Sequence, residues 1–79
     1  MAGQTIVIAW VEETTRPTGG GVFETTRTPF ACVWRHDGGA EDVDRAEAHA
    51  ATIAPTWAVY SFAGVGDPLD EARREIMGR

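Results

Sequence analysis

Thr5-Ile6-Val7-Ile8-Ala9-Trp10-Val11 is an apolar run with no break in its pattern on either side of an extended chain. In a strand, Ile6, Ile8 and Trp10 share one face, and Val7, Ala9 and Val11 share the other. A strand that is apolar on both sides belongs in the middle of a sheet with cover front and back. Residues 4–15 are therefore read as the central strand.

The neighbours follow from that choice. Arg16-Pro17-Thr18-Gly19-Gly20-Gly21 reads as a hairpin loop, because proline lacks a donor and glycine tolerates positive φ. Residues 22–36 read as a second strand in two parts. Its outer part, residues 22–28, is Thr-rich and polar and should project beyond the core. Pro29 marks a bulge or an edge position. Beyond it, Phe30, Cys32 and Trp34 share a face.

Residues 41–54 read as a helix. Glu41, Asp42 and Asp44 suit the positive end of its dipole, Val43, Ala46, Ala50 and Ile53 form its inner stripe, and Pro55 ends it. Residues 57–63 read as a third strand, again apolar on both parities. Asp67-Pro68 then gives an N-cap and a first-turn proline for a second helix. Its inner side is Leu69, Ala72, Arg73 and Ile76, and Asp70 can pair with Arg74 one turn on.

The order β-β-α-β-α, with the doubly apolar strand in the middle, predicts an α+β fold. It has a three-stranded antiparallel sheet in the order 2-1-3 and two helices. All of residues 1–79 form one domain, as expected at this length. Two short helices can cover both sheet faces. Failing that, one face is left for a partner to bury.

Net charge is -5, and the excess lies in the second half of the chain. Through His36, Glu12, Glu13 and Glu24 balance Arg16, Arg27 and Arg35. An acidic chain gains no general attraction to phosphate backbones, which argues against nucleic acid as the partner. All seven basic residues are Arg, and Asn is absent as well as Lys. That bias points to a GC-rich genome, of a bacterium or its phage.

A single cysteine, Cys32, makes neither an internal disulfide nor a cysteine-based zinc site, and its apolar neighbours suggest a packed side chain. The longest apolar run is too short to span a bilayer, and no secretory leader is visible. The expected setting is the cytoplasm, with no membrane partner.

Chemistry is sparse. Ser61 is the only serine and stands in no nucleophile motif. His36 beside Asp37, and His49 on the first helix, are the only histidines, and their spacing does not require a metal or catalytic site. No catalytic residue, cofactor or metal is assigned. The leading expectation is a non-enzymatic protein-binding or regulatory module, pairing with itself through the sheet or docking on another protein. Trp10, Trp34 and Trp57 are its candidate contact residues, because tryptophan is enriched at binding surfaces.

Arg16 and Arg27 come from a short internal repeat, Glu13-Thr14-Thr15-Arg16 and Glu24-Thr25-Thr26-Arg27. With the loop placed at residues 16–21, Thr14 and Thr15 should lie opposite Phe23 and Val22. One alternative is nucleic-acid binding through this Arg- and Thr-bearing hairpin. Another is a small ligand-binding or enzymatic domain around His36, Asp37 and His49.

Overall fold

The computed structural model describes residues 3–78. Strand β1 spans Gln4–Gly19 and β2 Val22–Gly38. Helix α1 spans Ala40–Ala50, β3 Trp57–Phe62 and α2 Pro68–Met77. The sheet order is β2-β1-β3, with β1 antiparallel to both neighbours. The α+β class, the element order and the central place of β1 agree with the sequence.

Each parity of β1 has its own helix. Val7, Ala9 and Val11 pack with Ala58, Ala72 and Ile76, which puts α2 on that face. Ile6 and Ile8 pack with Ala46 and Ala50 of α1 on the other. The alanines let both helices approach the sheet closely. Each helix thus covers the central strand on its own side, while Phe30, Cys32 and Trp34 on the α1 side of β2 stay exposed. The two helices therefore answer the burial demand of β1 on both sides.

The strands and helices end where local chemistry stops them. Asp67 caps α2, its Oδ1 accepting from the Asp70 N–H at 3.2 Å, with Pro68 in the first turn. Asp70 pairs with Arg74 at 3.0 Å, as the spacing predicts. Helix α1 stops at Ala50 rather than residue 54. The chain winds on through a turn in which the Ile53 N–H donates to the Ala50 carbonyl at 2.9 Å. Ile53 consequently leaves the inner stripe and is exposed.

The hairpin differs most from its sequence reading. β1 does not stop at Thr15 but runs through Pro17 to Gly19. Gly20 and Gly21 alone make the turn, with φ of 59° and 77°. Positive φ at both central residues is what a two-residue type I′ hairpin requires. Thr14 and Thr15 therefore face Thr26 and Thr25, not Phe23 and Val22.

Pro17 is tolerated because of the direction in which its nitrogen points. The Val11 N–H donates to the Thr56 carbonyl on the β3 side at 3.2 Å. Backbone groups alternate along an antiparallel strand, so Val11, Glu13, Thr15 and Pro17 all point away from β2. By the same alternation Pro29, paired with Val11, turns its nitrogen to the outer edge of β2. Pro29 is thus an edge residue without a register shift. Register shifts fall elsewhere: Ile6 pairs with Arg35 and Val7 with Val33, so Trp34 is an extra residue, and the ladder also shifts between Gln4 and Ile6 and, beside the turn, between Pro17 and Gly19.

Beyond Val11 and before Pro29 every residue is exposed. Those residues form a two-stranded arm about 25 Å long, at roughly 3.3 Å per residue. The molecule measures 59 × 26 × 16 Å and its radius of gyration is 15.1 Å. A compact chain of this length would have about 12 Å. The projecting outer hairpin expected from the Thr-rich sequence is present.

Candidate functional site

The internal repeat is the ladder of the arm. Its two copies pair antiparallel, Glu13 with Arg27, Thr14 with Thr26, Thr15 with Thr25 and Arg16 with Glu24. A motif that begins with an acid and ends with a base becomes self-complementary when one copy is reversed. Arg16 Nε and Nη2 both donate to Glu24 Oε2, at 3.3 and 3.2 Å. Arg27 Nε lies 3.4 Å from Glu13 Oε1. The Thr15 and Thr25 hydroxyls are 3.1 Å apart. Exposed pairs of this kind contribute little stability each, but directly opposed charges of opposite sign fix the register.

Both candidate arginines are thus engaged within the arm. Each faces a carboxylate, and the ladder is electrically balanced. What the arm offers outward is its tip. Phe23 sits opposite Pro17, and Val22 pairs with Gly19. Phe23 is 64% exposed and Val22 61%, the highest values among the large apolar residues. These two residues were not singled out from the sequence. The signal was present, since apolar side chains beside a glycine turn in a polar ribbon have no core to enter.

The three tryptophans separate. Trp10 stacks on Phe30, with centroids 5.7 Å apart, and joins the α1-side cluster. Trp57 joins the same cluster from β3. Trp34 is more exposed, and its ring lies 5.0 Å from that of His49 on α1. All three lie on the α1 side, Trp10 and Trp57 in one cluster and Trp34 against the helix itself. Trp10 and Trp57 face each other across β1 and β3 in the body, while Trp34 marks the bulge on the outer strand.

His36 is exposed near the end of β2, and Asp37 takes φ of 54° in the irregular pairing there. His49 is engaged with Trp34. Among the described residues no three His, Cys, Asp or Glu side chains converge to hold a metal ion. Asp42 plays the structural part in this region. Its Oδ2 accepts from the Gly39 N–H at 2.9 Å, and its Oδ1 lies 3.4 Å from Arg35 Nη1. It ties the end of β2 to the start of α1.

Cys32 is exposed, contrary to its apolar sequence context. It lies on the α1 face of β2, where the buried α1 contacts go to β1 and β3 and the contacts of α1 with β2 that involve side chains are made by Trp34 and Arg35. Partial cover by its neighbours still pushes the thiol above its ordinary range. At neutral pH its thiolate fraction is below that of a free cysteine. Alkylation should therefore be slower than for a small free thiol, despite the exposure. It should climb about tenfold per pH unit until the raised pKa is passed. A rate-against-pH profile with iodoacetamide checks this, and a plateau below the free-thiol range would contradict it.

With body and arm described, the class is a small α+β domain bearing a projecting β-ribbon. No family model matches the chain, and no curated protein and no solved structure matches it. Among the described residues, no helix is long and apolar enough to cross a membrane.

Proposed function

We propose that this chain is a non-enzymatic protein-binding module whose β1–β2 arm is the docking element. One observation carries the reading: two large apolar side chains, Val22 and Phe23, stand at the far end of a ribbon that no core supports. A two-stranded hairpin is marginal by itself in water. A partner surface that takes up the tip would supply the burial the arm lacks. The partner is a protein with an apolar cleft that admits a hairpin tip. With its ladder balanced, the arm carries only the single excess charge of Glu12, so binding should depend only weakly on salt. The Arg-only composition supports a source in a GC-rich bacterium or a phage that infects one.

The test places a photo-cross-linking phenylalanine analogue at Phe23, and separately at Ile53 on the body. Cross-linking is carried out in cells of the source organism. The expected result is a discrete protein adduct from position 23 alone. The captured protein, purified, should bind the unmodified chain and lose at least about tenfold in affinity to the Val22→Ser/Phe23→Ser variant. Equal binding of both forms would overturn the reading. So would a gel shift on DNA or RNA that Arg16→Gln/Arg27→Gln abolishes, which would assign the arm to nucleic acid instead.

A further inference from the structure

The two edges of the sheet are built differently. β2 forms one edge along its whole length, and it is guarded. Pro29 removes an outward donor, and Glu24, Arg27 and Arg35 place charges along the strand. Such features keep edges from pairing with other chains. The other edge is β3, Trp57-Ala58-Val59-Tyr60-Ser61-Phe62, followed past Val11 by the arm half of β1; the arm half carries Glu12, Glu13, Arg16 and Pro17, whereas β3 has no charge, no proline and no glycine. Uncharged six-residue segments of high β-propensity are the kind that pair with further strands when left open.

The direction of the β3 backbone follows from its register. Val11 bonds to Thr56, so the next pair, Trp10 with Trp57, is a non-hydrogen-bonded one. Trp57, Val59 and Ser61 therefore turn their N–H and C=O groups away from β1. Among the described residues, no backbone hydrogen bond outside the strand ladders and helices reaches those groups.

We propose that β3 is the interface for a second copy of this chain, and that the two β3 strands pair antiparallel about a two-fold axis at Val59. This inference stands independently of what the arm binds. Only residues whose groups point outward can exchange bonds, which restricts the register. With Val59 opposite its counterpart, Trp57 faces Ser61 of the second copy and Ala58 faces its Tyr60. Each large ring then meets a small residue, and Val59 meets Val59. Shifting the register by two residues breaks this matching and sets ring against ring or small against small. The outward groups of Trp57, Val59 and Ser61 all find partners. The product is a continuous six-stranded sheet in the order 2-1-3-3-1-2. Its two arms point in opposite directions.

Sedimentation equilibrium on the full chain tests this, with two variants at the exposed Ser61. The unsubstituted chain is expected to have twice its monomer mass of 8.5 kDa. Ser61→Pro removes one outward donor, and Ser61→Glu sets a charge against the indole of Trp57. Each should weaken the dimer by about two orders of magnitude while leaving the circular dichroism spectrum intact. Hydrogen exchange on the unsubstituted chain gives a reading that needs no variant: the Val59 and Ser61 amides should be protected. A monomer at millimolar concentration would overturn the proposal, as would rapid exchange at Val59. A dimer that survives both substitutions but is dispersed by Val22→Ser/Phe23→Ser would also overturn it, moving the interface to the arm.

Discussion

Ile8→Ala should lower the unfolding free energy by about 2–5 kcal/mol, the range for truncating a large buried aliphatic residue. Ile8 is fully buried in the centre of β1. It is flanked in the sheet by Cys32 and Val59 and covered by Ala46 and Ala50. None of these neighbours can fill the space. The two on the helix are already as small as a side chain with a Cβ can be, and their backbone is held by α1. A domain of 79 residues has a total stability of roughly 4–12 kcal/mol at the usual value per residue. One truncation therefore removes a large part of it. Urea denaturation of Ile8→Ala beside Val22→Ala makes the comparison, since Val22 is 61% exposed at the arm tip. The first should shift the midpoint strongly and the second by little. Equal shifts would mean that the core is not where β1 crosses α1.

Ala46→Leu should destabilise by about 1–3 kcal/mol from the opposite cause, overpacking. Ala46 is fully buried where α1 lies on the sheet. Added methylenes have to lift the helix away from Ile6 and Ile8 or force strained rotamers. Ala48→Leu, on the exposed side of the same helix, should change stability by no more than about 0.5 kcal/mol. Thermal melts of the pair separate helix propensity from packing, because leucine and alanine both favour helix. Comparable melting for the two variants would show that the alanine contact is loose.

The body of this fold was legible because its signals are local and agree with each other. Apolar residues on both parities from Ile6 to Val11 mark a central strand, and the Asp67-Pro68 pair marks a helix start. The strand order follows once β1 is placed in the middle. What the sequence concealed depended on direction and offset. Pro17 reads as a loop residue because proline cannot donate to a ladder. It is harmless here since its nitrogen faces the side where β3 has already ended. That misplacement of the turn also hid the reciprocal pairing of the two Glu-Thr-Thr-Arg segments.

Cys32 reads as buried from its neighbours in sequence, but its cover depends on α1 sitting toward β3, which no local pattern reports. Asp42 resembles Glu41 and Asp44 in composition. Only its position three residues after Gly39 lets it reach back to that N–H. The candidate site was legible in part. The projection of the arm follows from its lack of apolar residues, whereas the exposure of Val22 and Phe23 depends on the turn lying at Gly20-Gly21, which the local pattern does not report.

The arm is no appended loop, since its strands are those of the body continued outward. Force applied at Phe23 travels along β1 and β2 without a hinge and arrives beneath both helices at once. Whatever grips the tip also holds a lever, and twisting it strains the floor on which Ala46, Ala50, Ala72 and Ile76 rest.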